Sequence, residues 1–229
     1  MGRSFLLAGL LMSMPAPGSE IALDPEDRRY LAERAPLRFC TDPDWLPLEG
    51  VDAQGRHQGM AADFLALMVE RGGLRVELVR TRDWSESLRF VRERRCDFLP
   101  MAGESPSRLE YLDFTEPYLE IPSIIVTRAH VQHIAHLEQV VDQPLGILRD
   151  VSSIESFRAR YPQIELVPVE SYAQGLYRVQ AGELFGMIGN MASLGLVLRD
   201  VGVGDLKIAG WTGTYSKTGV ATRNDEPQL

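Results

Sequence analysis

Short apolar runs alternate with helical periodicity along the chain from Leu37 onward. The segment 74–78 alternates apolar and polar residues, which is typical of a strand with one covered face. Apolar residues at i, i+3, i+4 and i+7, namely Ala61, Phe64, Leu65 and Met68, predict a helix over about 60–70. The glycine pair 72–73 is expected to end this helix. This alternation predicts an α/β fold, a sheet flanked by helices.

The first half of the chain contains further elements of both kinds. A second helix carries Trp84, Leu88 and Val91 on one face. Residues 42–47 are predicted to form a loop, because Pro43 and Pro47 exclude helix and ladder pairing there. The predicted strands of this half lie at 37–40, 74–78, 97–101 and 121–127.

The same pattern begins again after residue 128. It predicts strands at 145–148, 164–169 and 185–188, and helices near 133–141, from 152, at 172–181 and at 191–199. The apolar stretch 218–221 would then return to the first unit. We therefore predict two α/β lobes, 37–127 and 128–214, with 215–229 returning to the first, and a ligand cleft beside the two-segment hinge.

The N-terminus has the composition of an export signal. Arg3 precedes an apolar run over 5–12 and a proline-rich segment over 14–19. The run is shorter than the roughly 20 residues that span a membrane, so 1–19 is interpreted as a signal peptide, with a membrane anchor or disordered leader as the alternatives. Export predicts a periplasmic location. Residues 20–36 are predicted to form a charged, solvated helix ahead of the first strand.

Charge and cysteine usage narrow the classes of function. Lys and Arg number 24 against 32 Asp and Glu, the formal net charge is -8, and basic residues are consecutive only in short pairs. Binding to nucleic-acid phosphates is therefore not expected. Cys40 and Cys96 are interpreted as small buried residues near strands, with one disulfide as the alternative for an exported protein.

The segment 97–118 carries the most informative chemistry. A strand ends in a glycine-containing loop, and a short helix is predicted to begin at Ser105-Pro106, with Arg108 in its first turn. A guanidinium beside free backbone N–H groups makes a carboxylate receptor, because its fork is bidentate and the helix dipole favours an anion. A surface ion pair of Arg108 with Glu104 or Glu110 is the alternative.

Four segments together resemble the family 3 bacterial extracellular solute-binding proteins, which are the polar amino-acid binders of ABC importers, and their relatives that serve as Venus-flytrap input domains of membrane sensor kinases. These segments are the loop 41–47, the helix start 59–63, the Arg108 loop and the run Phe-Thr-Glu-Pro-Tyr at 114–118. The resemblance extends from about Leu23 to Leu229. It implies a periplasmic-binding-protein-like type II fold, with two lobes, a two-segment hinge and a cleft between them.

The resemblance also implies a binding site in the first lobe. Arg108 would hold the carboxylate of a small ligand, with backbone groups near Met101 and Gly103 assisting. Trp45 and Trp84 stand where family members stack aromatic rings against the ligand, and plain core packing is the alternative for each ring. No cofactor is implied. The implied partners are a small carboxylate ligand and either an ABC permease or a membrane sensor kinase module.

The second lobe departs from the family pattern. Ser152 matches a hydroxyl that contacts the ligand, but it also starts a capping box with Glu155 that would occupy this hydroxyl. Asp150 stands where amino-acid binders have glycine, and it would repel a carboxylate unless it points away. Asn190 replaces the aspartate that commonly holds the ligand's ammonium, so an organic anion without an amine fits as well as an amino acid.

The Gly189-Asn190 pair and the charged helix over 25–34 resemble the sensor branch more than the free importer subunits. In that branch, the C-terminus would continue as a helix into a membrane span. The sequence stops at Leu229, so we interpret the chain as a fragment or as a shortened relative without the terminal helix.

An enzyme on the same fold is the main alternative, because some relatives are periplasmic cyclohexadienyl dehydratases that act on prephenate-like substrates. This chemistry needs a general acid in the cleft, for which Glu104 is the candidate. His130, His133 and His136 are spaced by three along a predicted helix start. No Asp, Glu or Cys joins them at a useful interval, so we predict a solvated helix face and no metal site.

Overall fold

The computed structural model describes residues 21–202 and 204–229 as a mixed sheet with helices packed against it. Its strands are β1 (Leu37–Phe39), β2 (Asp44–Trp45), β3 (Glu49–Val51), β4 (His57–Gln58), β5 (Val76–Leu78), β6 (Phe98–Ala102), β7 (Leu112–Phe114), β8 (Leu119–Arg128), β9 (Leu145–Leu148), β10 (Leu166–Val169), β11 (Gly186–Asn190) and β12 (Leu206–Arg223). Its helices are α1 (Pro25–Arg34), α2 (Met60–Gly72), α3 (Trp84–Arg92), α4 (Pro106–Leu109), α5 (Ser153–Arg160), α6 (Tyr172–Gln180) and α7 (Met191–Asp200). The predicted signal peptide, 1–19, lies outside the described residues.

Two long strands connect two lobes. The main sheet has the order β10-β9-β11-β8-β12-β6-β1-β5, and β7 pairs with β12. Strands β1, β5, β6 and β7 belong to the first lobe and β9, β10 and β11 to the second, while β8 and β12 pair antiparallel and pass between them. The predicted α/β fold with a two-segment hinge is confirmed. The boundaries 37–127, 128–214 and 215–229 stay a prediction, because β8 and β12 cross the hinge without a break.

The second lobe buries both faces of its sheet. Ile125 packs in one apolar cluster, whereas its neighbours Ile124 and Val126 pack in another. Successive strand residues point to opposite faces, so β8 is covered on both sides. This explains why 121–127 is an unbroken apolar run instead of an alternating one. The loops that face the first lobe therefore rise from a sheet that has an apolar core on each side.

The charged helix α1 is tied to the first lobe. It covers Pro25–Arg34, the range predicted from the sequence, and the carboxylate of Asp24 accepts the first free N–H groups of the helix. At its other end, the Arg34 guanidinium lies 3.1 Å from the Asp97 carboxylate and 3.4 Å from that of Glu226. The helix is therefore fastened to both the first strands and the C-terminal segment.

The segments 42–47 and 133–141 differ from prediction. Asp44–Trp45 forms β2 and pairs with β3, because both paired residues lie between the prolines and neither proline enters the ladder. The helix predicted near 133–141 is wrong, since the described backbone has only a 3-10 turn at Leu137–Gln139. The apolar residues of this segment are nevertheless buried against the sheet of the second lobe.

The two cysteines form a disulfide, so their interpretation as unpaired buried residues is wrong. Their Cα atoms are 5.8 Å apart, and both side chains are fully buried. Cys40 follows β1 and Cys96 precedes β6, and these neighbouring parallel strands pair at Phe39 and Phe98. Strand pairing thus brings together two residues that are 56 positions apart.

No helix among the described residues is long and apolar enough to cross a membrane.

Candidate ligand-binding cleft

A cavity of about 590 Å³ lies between the two lobes. It is lined by all seven residues predicted to bind the ligand, Trp45, Trp84, Met101, Gly103, Arg108, Ser152 and Asn190. The first five belong to the first lobe and the last two to the second. The structure therefore brings the predicted residues together, while their contact with a ligand stays a prediction.

Arg108 is a buried cation between the lobes. It lies in α4 with 5% of its surface exposed, and its two terminal nitrogens donate to the carbonyl oxygens of Gly103 and Asp150, each at 2.5 Å. These acceptors belong to opposite lobes. Burial lowers the pKa of the guanidinium to about 10, which leaves it charged at neutral pH. The alternative of a surface ion pair is therefore wrong.

Arg108 keeps capacity for a ligand. A guanidinium has five N–H groups, and two are used by the carbonyls of Gly103 and Asp150, so three can meet another acceptor. Its central carbon lies 5.3 Å from the centre of the Trp84 ring, close enough for a cation–π contact. A charged, oriented fork in a cavity between the lobes is suited to a carboxylate.

Both tryptophans combine core packing with a surface on the cleft. Trp84 is the first residue of α3, where Asp83 caps the helix, and its ring packs against the core of the first lobe. Trp45 packs against the core of the second lobe, and its carbonyl accepts a hydrogen bond of 3.4 Å from Ser193. Trp45 thus extends from the first lobe across to the second.

Gly103 and Ser152 mark the closest approach of the lobes. A Cβ at Gly103 would collide with the Ser152 hydroxyl and would lie 3.1 Å from the carbonyl of Lys217. The predicted capping box is absent, because Ser152 makes no side-chain cap and Glu155 bonds elsewhere. The Ser152 hydroxyl is therefore not used to cap its own helix.

A Gly103→Ala substitution should hold the lobes apart. The φ angle of Gly103 is not in the left-handed region, so alanine suits the backbone and the clash across the cleft is the main effect. Overpacking costs about 1–3 kcal/mol, which corresponds to a ligand Kd roughly 5- to 150-fold higher. Small-angle scattering should show a larger radius of gyration.

The matched control is Gly195→Ala, where a Cβ would meet nothing within 4 Å. Adding Ser152→Gly to Gly103→Ala should restore the compact scattering profile, since it removes the colliding group. An unchanged profile for the single Gly103→Ala variant would contradict the close approach.

Asp150 points away from the cleft. Its φ of 58° is in the left-handed region, which explains why glycine is suited to this position. Its side chain accepts a hydrogen bond from Ser85 of the first lobe, and Asp150 is not among the residues that line the cleft. Its carboxylate is therefore directed away from a ligand on Arg108, while its carbonyl oxygen accepts a hydrogen bond from Arg108.

Asn190 is buried and already has two structural partners. It caps α7, where its side-chain oxygen accepts from the Ser193 backbone N–H at 2.8 Å, and its amide nitrogen lies 3.4 Å from the Tyr172 hydroxyl. One amide N–H remains for a ligand. Gly189 is required beside it, because a Cβ there would collide with the Tyr172 ring.

Asp42 is a cleft residue that sequence reasoning did not select. It lines the cavity, and its side chain accepts only the Asp44 backbone N–H, at 3.0 Å, among the described residues. Burial, together with the nearby Glu49, raises the pKa of this carboxyl to about 7. The sequence feature that could have indicated Asp42 is its position in the loop 41–47, one of the four segments that resemble the family. Asp42 is therefore poised to ionise when a cation approaches.

The raised pKa of Asp42 predicts a pH effect on stability. Because it lies above the ordinary value of 3.8, the folded state holds the proton more tightly. The resulting stabilisation is complete below about pH 4 and is lost as the pH rises to about 7. An Asp42→Asn variant avoids this loss and should gain on the order of 2 kcal/mol over the native chain at pH 8.

Urea denaturation of both proteins from pH 4 to pH 8 measures this difference. The two should converge at pH 4, because both side chains are then neutral. The exposed Asp142 provides the control, since Asp142→Asn should follow the native curve. A constant difference between Asp42→Asn and the native chain across this range would contradict a raised pKa.

Glu155 fastens the lobes together beside the cleft. Its carboxylate, on α5 of the second lobe, accepts from the Ser105 hydroxyl at 2.9 Å and from the Ser107 backbone N–H at 3.2 Å, and also from the Ser107 hydroxyl. These three bonds reach the start of α4 in the first lobe. The hydrogen bonds from Ser107 and Ser105 lower the pKa of Glu155 although burial opposes them. The contact therefore requires the ionised carboxylate.

The residues proposed from the sequence for acid catalysis or metal binding do not lie in the cleft. Glu104 is exposed and does not line the cavity, so it is not placed to act as a general acid. His130, His133 and His136 do not lie on one helix, because that helix is absent. Over residues 21–202 and 204–229, no group of three metal-ligating side chains lies together.

Comparison with known proteins decides the family. Residues 37–229 match the model of the bacterial extracellular solute-binding proteins, family 3. The chain belongs to this family. The match includes both lobes and the whole cleft, so the resemblance inferred from sequence motifs is confirmed.

The relatives of this family 3 chain include both sensors and binding proteins. The virulence sensor protein BvgS of Bordetella pertussis is 24% identical over 174 residues, which cover 76% of this chain and 14% of BvgS. The putative ABC transporter arginine-binding protein 2 of Escherichia coli K12 is 24% identical over 207 residues, which cover 84% of this chain and 80% of that protein. The chain thus spans about one seventh of the sensor.

Solved structures share the fold. The periplasmic VFT2 domain of Bordetella pertussis BvgS superposes with a TM-score of 0.81 at 19% identity, covering 91% of this chain and 89% of that one. A histidine kinase sensor domain with similarity to periplasmic binding proteins gives a TM-score of 0.75 at 24% identity, with 84% of each chain covered. The arginine-bound form of truncated ArgBP from T. maritima gives a TM-score of 0.70 at 17% identity, covering 87% of this chain and 93% of that one.

Proposed function

We propose that this chain is an extracytoplasmic solute-binding domain whose lobes close on a small carboxylate, either an amino acid or a related organic anion. Arg108 is the observation that carries the proposal. It is a buried guanidinium in an interlobe cavity, it stays charged, and it has N–H groups beyond the two bound to carbonyls. The Trp84 ring beside it would pack against the ligand.

Asp42 favours a ligand that carries a cationic group as well. The neutral Asn190 offers no charge for an ammonium, but Asp42 offers a carboxyl from the first lobe. Ionising it beside a ligand cation would recover the energy that burial costs. The names of two relatives, an arginine-binding protein and an arginine-bound ArgBP, agree with this ligand class. An amino acid therefore becomes the first class to test.

Closure would follow binding in two steps. A carboxylate would bind Arg108 on the first lobe, and the second lobe would then bring Ser152 and Asn190 over it. The ligand can shift the open and closed populations only by its difference in affinity for the two. The contacts of Glu155 with α4 stabilise the closed arrangement. They therefore determine how much binding free energy the ligand must contribute to closure.

We further propose that the domain senses its ligand for a membrane kinase module, with uptake through an ABC permease as the second role. The helix α1 ahead of the first strand and the similarity to BvgS support the sensing role. The family description supports a periplasmic location.

A thermal-shift screen of amino acids beside amine-free carboxylates tests the ligand class. The best ligand should then be titrated by calorimetry at pH 6 in two buffers that differ in ionisation enthalpy. A cationic ligand should release up to about one proton in the native chain, because Asp42 ionises, and none in Asp42→Asn. Proton release that is the same in both proteins would exclude this role for Asp42.

A further inference from the structure

A second interlobe groove, of about 580 Å³, adjoins the ligand cleft. It is open to solvent and shares Arg108, Arg149, Val151 and Ser152 with the cleft, and the rest of its walls come mainly from α3, α4 and α5. Five arginines line it, namely Arg89, Arg92, Arg108, Arg149 and Arg158. Such a concentration of cations stands out in a chain with a net charge of -8.

The five arginines of the groove outnumber its two acids, Asp150 and Glu155. Asp150 accepts from the Ser85 hydroxyl, and Glu155 accepts from Ser105 and Ser107. Neither lies within ion-pair distance of a groove arginine. Three guanidinium groups without a paired carboxylate, those of Arg92, Arg108 and Arg158, face these two carboxylates, so the lining keeps an excess of positive charge.

Among the described residues, three of the five arginines have no carboxylate partner, namely the buried Arg108 and the exposed Arg92 and Arg158. Arg89 pairs with Glu86 at 2.7 Å, and Arg149 pairs with Glu170. In the part of the chain that the structure describes, Arg92 and Arg158 have no carboxylate within 4.0 Å. Arg92 is oriented by Tyr111, whose ring centre lies 4.1 Å from its central carbon.

Arg92 and Arg158 belong to opposite lobes. Arg92 lies in α3 of the first lobe and Arg158 in α5 of the second, and both are exposed. Two like charges on facing walls repel each other when the lobes close. An anion between them would replace this repulsion by two attractive contacts, and bidentate guanidinium contacts favour oxyanions.

We propose that this groove binds a small, soluble oxyanion with two or more negative charges, of the phosphate or polycarboxylate class, which bridges Arg92 and Arg158 and favours closure. The two bridging arginines, Arg92 and Arg158, do not line the cleft, so anion binding is a separate claim, whereas its effect on closure rests on the proposed function. A monovalent anion would not satisfy both guanidinium groups equally, so charge should set the preference.

The test uses the full chain with citrate and inorganic phosphate as probes, and with sodium chloride at equal ionic strength as the reference. Citrate or phosphate should give a saturable thermal stabilisation that chloride does not. Arg92→Gln and Arg158→Gln should each raise the apparent Kd roughly tenfold. The double variant should be hardly weaker than either single one, because a bridging anion needs both groups.

Arg160→Gln is the matched control, since it removes an exposed arginine from the same helix outside the groove. Arg160→Gln should respond to citrate as the native chain does. A response that is equal in all variants, or no saturable response, would overturn the proposal. Loss in Arg92→Gln alone would overturn the bridging role.

Discussion

An Arg108→Ala variant is expected to show no ligand-induced thermal stabilisation. The substitution removes the buried cation of the cleft and leaves the carbonyls of Gly103 and Asp150 without their donors. An unsatisfied buried acceptor such as the Gly103 carbonyl costs about 1–3 kcal/mol, so the variant should also melt roughly 2–10 °C lower without ligand. Differential scanning fluorimetry and calorimetric titration measure the two effects.

Arg108→Lys separates charge from geometry. Lysine keeps the positive charge but cannot donate to two carbonyls and a carboxylate in the fixed plane of a guanidinium. This variant should recover part of the lost stability, yet bind the ligand at least about tenfold more weakly than the native chain. A native Kd in folded Arg108→Ala would remove Arg108 from the site.

Replacing both cysteines by alanine should cause the largest loss of stability among these variants. The disulfide between Cys40 and Cys96 closes a loop with a sequence separation of 56. In the chain-entropy description, closing a loop of this length contributes about 4 kcal/mol to the free energy of unfolding. Denaturation by urea should show this loss, whereas ligand binding should persist because neither cysteine lines the cleft.

Reduction provides the control for the cysteine variant. Dithiothreitol should lower the unfolding midpoint of the native chain to that of Cys40→Ala/Cys96→Ala, and it should not affect the variant. Two free thiols per native chain, titrated after unfolding without a reductant, would show that the bond is not formed.

Much of the fold could be predicted because apolar periodicity reports burial. The helix predicted at 172–181 is α6, Tyr172–Gln180, whose apolar stripe packs on the second lobe. The same signal failed at 133–141. Ile134, Leu137 and Val140 are all buried in one cluster, but they reach it from an irregular segment with a single 3-10 turn. The spacing of apolar residues shows only which side of a segment is buried. An irregular segment that packs on a sheet can have the same spacing as an amphipathic helix.

The positions of the site residues could be predicted, but several of their interactions could not. The motif around Arg108 places a guanidinium at the cleft, whereas its bond to the Asp150 carbonyl depends on how the lobes meet. Glu155 fits a local capping box by sequence, yet it bonds across the lobes to Ser105 and Ser107. The importance of Asp42 depends on burial by neighbours that are distant in sequence. Such contacts arise from three-dimensional apposition, which local patterns do not contain.

The central claim is that the cleft recognises a carboxylate, and one titration tests it most directly. The best ligand from the screen should be compared by calorimetry with its primary amide, which has the same shape but no negative charge. The acid should bind, and the amide should bind at least roughly tenfold more weakly, because it cannot form a charge-assisted contact with Arg108. Equal affinities of the acid and its amide would contradict the claim.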